Sequence, residues 1–509
     1  MRKYLFVFSL LALLVMGGYR ATHLFEEIPK TWDEGKLRSL HLPLVDTSVH
    51  VGTVSEQYYY SIPERLAYRT YPMYMPGLEP GGYFDWLAQQ NEIIDFNPDQ
   101  LKTEADWIKA GEIIFGLPTL LLPLDTNLKS ALPGIAENWK RINMPTTKDG
   151  IIPFFNITVK EKGQLLLGSF SCATCHTKVM PDGTTLKGAQ GNYPFGNDLP
   201  MVLAYSPAAQ QQVKGIPETT KSLLSMLFIA PWIRHESQNI WTNFETEYDK
   251  TVIPDFQATI PGVMHRHGSM IGYPTNIPDL YNLRDRKYFD RTGLMLHRDI
   301  GDLMRYAALN QGLDFLNDYS GYNPRPRPAD PEKGDMLRYS DAQLYALAKY
   351  VYSLKPPQNP NPAPAAIIEK GKQIFEAENC SECHTAPLYT SNKLTPAIGF
   401  EIPKEHFLKY DIYEECLETD PGLAMFTRRG SGYYKVPSLK GAWNRSAFLH
   451  SGYFATLEDM FDKKRLENDY VPTGYKPAAL KTMAVTGHKY GLDLNDEDRK
   501  ALIAFIKSL

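Results

Sequence analysis

Basic runs are absent from this chain, and its formal net charge is only −4. Nothing offers a positive surface to a phosphate backbone, so a nucleic-acid partner is set aside. Cysteine is scarce, with 5 in 509 residues. A long apolar run stands at the N-terminus, from Tyr4 to Tyr19 behind Arg2 and Lys3, in the shape of an export signal. A clean A-x-A cleavage site is missing, because Met16 stands two positions before Gly18 and Tyr19 two before Ala21. The segment 1–22 therefore reads as a retained membrane anchor, or alternatively as a cleaved signal; its apolar run of about 16 residues is short for a span. Either reading places the chain in the periplasm or cell envelope, with residues 4–19 as a candidate tether to the inner membrane.

Four of the five cysteines fall in two copies of one pattern: Cys172-Ala173-Thr174-Cys175-His176 and Cys380-Ser381-Glu382-Cys383-His384. Chance would give about 0.001 copies at this composition. C-x-x-C-H is the pattern for covalent attachment of c-type haem: two thiols add to the haem vinyl groups, and the adjacent histidine turns back to ligate iron. The expected cofactors are two covalently bound c-type haems, held by Cys172, Cys175, Cys380 and Cys383, with His176 and His384 as proximal ligands. A disulfide, a thioredoxin-like pair and a zinc site fit less well. Thioredoxin motifs do not recur with a trailing histidine, and zinc ribbons pair their C-x-x-C units at closer spacing. Cys416 is left as a lone, unpaired thiol.

At 509 residues, with 43% hydrophobic and 22% charged content, the chain is an ordinary globular sequence too long for one core. Lys162-Gly163 precedes Cys172 by the interval at which Lys370-Gly371 precedes Cys380. Both intervening segments carry apolar residues at helical spacing, which predicts a helix leading into each motif. Each copy also closes on a similar helix, one through Ala346, Tyr350 and Ser353 and the other through Ala501, Phe505 and Ser508. The stretch from Pro356 to Pro364 is too proline-rich for helix or central strand and reads as a linker. The expected fold is mainly α, with two cytochrome c-like haem domains at 154–357 and 358–509, long irregular insertions, and an irregular N-terminal extension over 23–153.

Lys435-Val436-Pro437-Ser438-Leu439-Lys440-Gly441, running to Phe448-Leu449-His450-Ser451-Gly452 and Thr456-Leu457-Glu458, resembles the bacterial di-haem cytochrome c peroxidase superfamily. The stretch from Cys172 to Gly183, followed by Gly188-Ala189-Gln190-Gly191-Asn192, is more similar to its branch of di-haem rubber oxygenases. The resemblance spans about residues 105–509. It implies that the distal ligand of the C-terminal haem comes late, where His488 stands, and that His450 supports the pocket without ligating iron. It also implies calcium between the domains, for which no ligand cluster is evident.

For the N-terminal haem, the resemblance matches Asp279-Leu280-Tyr281-Asn282 and Tyr288-Phe289-Asp290-Arg291. The tryptophan that peroxidases keep between the haems is missing, and so is the downstream glutamate, where Leu309-Asn310-Gln311-Gly312-Leu313-Asp314 stands. A distal base is sought among His235, His265, His267 and His297, with His297 as the catalytic candidate. The implied function is a di-haem oxidoreductase. It would reduce peroxide at the N-terminal haem with electrons from a soluble or membrane donor, passed on by the C-terminal haem. The alternatives are an oxygenase using dioxygen on an organic substrate, and an electron carrier with no catalytic site.

Overall fold

Two helix crossings of the same design organise the chain, and both depend on a glycine. A computed structural model describes residues 27–123, 128–197, 229–233, 248–266, 268 and 270–509. The expected N-terminal anchor or signal, His235 and His267 lie outside these residues. Helix α1 (Glu104–Gly116) starts on a capping box, in which the Thr103 hydroxyl accepts from the Asp106 amide and the Asp106 carboxylate accepts from the Thr103 amide. Its buried face is Trp107, Ala110, Gly111, Ile114 and Phe115. This face packs on the helix at Asp341–Ser353, through a Trp107–Tyr345 edge contact at 5.2 Å and a Phe115–Tyr350 contact at 5.2 Å. In the C-terminal half the helix Ala365–Ala377 packs on Asp496–Ser508, with Phe375 against Phe505 at 5.2 Å.

At the centre of the first crossing a Cβ on Gly111 would run into the Ala346 carbonyl and Tyr350. A Cβ on Gly371 would likewise run into the Ala501 carbonyl and Phe505. Gly111-x-x-Ile114-Phe115 is thus the counterpart of Gly371-x-x-Ile374-Phe375. The two closing helices fall where the sequence predicts them, and 356–364 carries neither helix nor strand.

The segment before the first motif is not the predicted helix. Strands β1 (Thr70–Tyr74), β2 (Leu120–Pro123), β3 (Ile151–Glu161) and β4 (Gln164–Ser169) form an antiparallel sheet in the order β1-β3-β4-β2. Lys162-Gly163 is the hairpin turn between β3 and β4, with Gly163 at φ 84°. Leu165, Leu166 and Leu167 therefore pair with β3 as a strand, and the helix that corresponds to Ala365–Ala377 is α1, far upstream. The fold is accordingly mainly α only in part. A boundary at 153/154 would cut β3 and part α1 from its packing partner, and the region 23–153 is not uniformly irregular. Among the described residues no helix is long and apolar enough to cross a membrane.

The halves are joined by buried polar groups. The fully buried Gln190 amide donates to the carbonyls of Ile277 and Ala447, both at 3.1 Å, while its oxygen accepts from the amides of Ser446 and Ala447, both at 2.9 Å. Tyr475 donates to Asp255 at 2.9 Å, and the same carboxylate meets the His265 ring at 2.9 Å. Beside it Tyr453 donates to Asp420, which lies 3.7 Å from His450.

Gly111→Ala and Gly371→Ala should each destabilise the protein by about 2 kcal/mol, the scale of an overpacked contact. Gly116→Ala, where an added methyl meets nothing within 4 Å, should change stability by less than about 0.5 kcal/mol. Equal urea midpoints for all three variants would refute the close crossing.

Candidate haem-binding site

The C-terminal motif begins where Asn379, at φ 57°, ends the preceding helix and starts helix α2 (Cys380–Cys383). The His384 amide donates to the Cys380 carbonyl at 2.9 Å, turning the ring back over the motif. Its Nδ1 donates to the Tyr389 carbonyl at 3.2 Å, and the ring also faces the Pro437 carbonyl. Nδ1 therefore holds the proton, and Nε2 carries the lone pair.

Across from it stands His488, on a loop that Arg465 fixes. This fully buried guanidinium donates to the carbonyls of Gly487 and His488, both at 2.8 Å, and to that of Val485 at 2.5 Å. The two imidazole centroids are 6.4 Å apart. A metal–imidazole bond is about 2 Å, and the ring centre lies about 1 Å beyond the nitrogen, so one iron between two rings needs about 6 Å. Burial pushes both histidines down to about 4, which leaves them neutral and able to donate a lone pair at neutral pH. His450 does not compete, because its ring stacks on Tyr434 at 4.1 Å beside Asp420.

The N-terminal motif follows β4 directly. Phe170 takes φ 56°, and the Ser171 hydroxyl and Thr174 form a capping box over Cys172–His176. His176 is pushed by burial to about 4 and faces the Pro278 carbonyl, as His384 faces Pro437. The two prolines belong to a gap-free internal repeat. Ile277-Pro278-Asp279-Leu280 matches Val436-Pro437-Ser438-Leu439, and Arg286, Phe289 and Gly293 match Arg445, Phe448 and Gly452 at equal intervals. Each copy makes a short 3-10 turn, Leu283–Asp285 and Ala442–Asn444, after a left-handed residue. No disulfide joins the cysteines, and burial pushes Cys172 up to about 11 and Cys175 and Cys380 up to about 12.

Between the motifs lies a cation-rich interior. Asp279 accepts from Arg286 at 2.5 Å and from Arg445 at 2.8 Å. Burial alone would raise the Asp279 carboxyl, but the two guanidiniums hold it at about 2. Burial pushes Lys435 down to about 7, with Arg286 and Arg291 adding to the effect. Arg286, Arg291, Lys435 and Arg445 outnumber Asp279 and Asp290 here, so the region suits a group bearing carboxylates, and haem carries two propionates. The thioether thiols, the paired imidazoles and these cations together fit two c-type haems.

His297 is placed as a structural residue, not as the expected distal base. Its Nδ1 donates to the Arg286 carbonyl at 2.5 Å, its Nε2 accepts from Tyr352 at 2.6 Å, and its ring packs on Phe289 at 4.5 Å. His265 is engaged with Asp255. Among the described residues no group of three or more His, Cys, Asp and Glu could hold a metal ion, so calcium stays unassigned. Sequence reasoning missed Arg286 and Arg445 and quoted Lys435 only as part of a motif, although the equal intervals from Pro278 to Arg286 and from Pro437 to Arg445 carry that signal.

Replacing Cys380 and Cys383 with Ala should leave one covalent haem, counted under denaturing conditions. His488→Ala should convert the C-terminal haem to a five-coordinate or water-ligated form with a raised potential, whereas His450→Ala should keep the low-spin spectrum. Asp279 contributes stability that is present above its ordinary 3.8 and is lost as pH falls through about 2. Asp279→Asn should therefore flatten acid unfolding across that window and cost roughly 3 kcal/mol at neutral pH.

Residues 368–509 match the family model for Cytochrome c. No curated protein matches the chain. Among solved structures, Kuenenia stuttgartiensis hydrazine synthase is similar at 14% identity over 60% of this chain and 92% of that one, with a TM-score of 0.29. The diheme peroxidase BthA from Burkholderia thailandensis is similar at 14% identity over 83% of this chain and 91% of that one, with a TM-score of 0.26. At such TM-scores neither likeness bears on the fold or activity of this chain. The family match makes the segment that holds Cys380, Cys383 and His384 cytochrome c-like.

Proposed function

We propose that the protein is a di-haem c-type oxidoreductase of the cell envelope that reduces peroxide at the N-terminal haem, with electrons passed by the C-terminal haem. The observation that carries this reading is the His384–His488 pair at 6.4 Å. An iron held on both faces cannot take a substrate but changes redox state with little rearrangement, which suits electron transfer. Bound at Cys172–His176, a haem supplies an iron that can take a small oxidant. The chain's own residues divide the work accordingly. Glu382, inside the C-terminal motif, is exposed, which gives a soluble or membrane donor a point of approach. The Asp279, Arg286 and Arg445 bridge holds the two proximal loops in fixed register, and Gln190 ties the same halves through four buried hydrogen bonds. The first motif's likeness to the rubber-oxygenase branch marks the lineage we assign.

Carbon monoxide titration of the reduced protein tests the division. One site per chain is expected; His176→Ala should lose it, and His488→Ala should keep it and open a second. Binding that survives His176→Ala and disappears on changing His384 would move the chemistry to the other haem.

A further inference from the structure

A groove of about 620 Å3 opens on the C-terminal half, lined by the apolar Ile398, Phe400, Ile402 and Phe407 and by the carboxylates Glu414 and Glu418. Its wall is preformed, because Phe400 packs edge-on against the buried Tyr433 at 5.0 Å and the Ala397 amide donates to the Gly432 carbonyl at 2.8 Å. Ile398 is 46% exposed, Phe407 42% and its neighbour Leu408 89%. Apolar side chains scattered singly over a surface are ordinary, but three at the mouth of one groove mark a face that meets another molecule.

The segment carrying Glu414 and Glu418 is bonded directly to the His384–His488 site on both of its sides. The Tyr413 hydroxyl donates to the Glu382 carbonyl inside the C-terminal motif at 2.9 Å. The His488 amide donates to the Leu417 carbonyl at 2.9 Å, the Thr486 hydroxyl to the Glu418 carbonyl at 3.3 Å, and the Tyr490 hydroxyl to Glu415 at 3.2 Å. One loop therefore separates a molecule seated in the groove from the paired imidazoles.

Charge selects that molecule. Between Ile398 and Glu418 the exposed charges are Glu401, Glu405, Glu414, Glu415 and Glu418, against Lys404 and Lys409. Lys489 pairs with Glu418 at 2.7 Å, Asp411 with Lys287 at 2.8 Å, and Lys393 lies over the Tyr413 ring. Among the described residues no cation lines the groove, and neither Glu414 nor Glu415 meets one. A second copy of this chain would set carboxylates against carboxylates, and an anionic lipid surface would be repelled in the same way. An apolar centre with a charged rim suits a small, short-lived contact that charge steers into place.

We propose that this groove docks the electron donor, and that the donor is a small soluble redox protein with a lysine-rich face around an apolar contact. The inference rests on the function proposed above and names its partner. Each encounter moves one electron: the donor is oxidised by one, the group held at Cys380–His384 is reduced by one, and no bond is made or broken.

The probe is a basic cytochrome c with zinc in place of iron, which becomes a strong reductant when illuminated, mixed with the oxidised full-length holoprotein. Wild type should bind it at low salt, lose it as salt rises, and show light-driven reduction of the His384/His488 low-spin haem. Glu414→Lys/Glu415→Lys should weaken binding about tenfold with both haems still attached. Phe407→Ser should weaken it about fivefold without changing the salt slope. Glu92→Lys/Asp99→Lys, an equal change of charge in the N-terminal extension, should bind within about twofold of wild type. Binding by the Glu414/Glu415 variant within about twofold of wild type would overturn the proposal. So would an equal loss in the Glu92/Asp99 variant, or tighter binding of an acidic flavodoxin-type carrier by wild type. None of these readings needs peroxide. A protein that docks the probe as described yet offers no carbon monoxide site would support the docking face and refute peroxide reduction alone.

Discussion

One buried carboxylate ties the molecule together. Asp279 follows the proline whose carbonyl faces His176, and it is clamped by Arg286 from its own loop and Arg445 from the other half. A lone buried carboxylate would be costly, and so would either guanidinium, so each makes the others tolerable. The Arg445 guanidinium also donates to the Ser438 carbonyl at 2.6 Å, beside Pro437, which faces His384. The two proximal histidines are thus oriented by loops that share one charge network. A shift of one loop would strain the other, so the two motif histidines are held in a fixed relative placement.

The halves share a helix crossing and a proximal loop but differ in what they add. In the C-terminal half the glycine helix runs almost directly into Cys380. In the N-terminal half a four-stranded sheet separates α1 from Cys172, and the segment holding His41 lies along the Met295–Leu296 strand. The compact half places a second histidine opposite its proximal ligand, with Arg465 as the clamp. The elaborated half gathers Arg266, Asp290, Tyr306 and Asn310 beside its motif. Elaboration and buried polar groups therefore fall together, because holding several charges beside one motif needs a scaffold beyond a minimal helical core.

Tyr475, Asp255 and His265 on one side, and Tyr453, Asp420 and His450 on the other, repeat one arrangement along the seam. Tyr453 and Tyr475 are buried, with ring centroids 6.2 Å apart. Each carboxylate accepts from a phenol and lies beside an imidazole, at 2.9 Å for Asp255 with His265 and 3.7 Å for Asp420 with His450, and such directional contacts specify one docking where an apolar seam could slide.

The sequence by itself determined the local chemistry. Two C-x-x-C-H units set the thiols and the adjacent histidines within five residues, and the closing helices could be read from their own spacing, whereas His488 was implied only by the family resemblance. The spacing of Trp107, Ala110, Gly111, Ile114 and Phe115 also carried α1, but matching Lys162-Gly163 to Lys370-Gly371 by interval concealed it. Leu165–Leu167 suit helix and strand equally, and only pairing with β3 decides between them. His297 looked available for catalysis until the Arg286 carbonyl and Tyr352 took both its nitrogens. The groove at Phe407 carried no motif at all. Which side chains are spent on a contact and which are left exposed depends on partners far away in the chain, and folding alone brings those partners into contact.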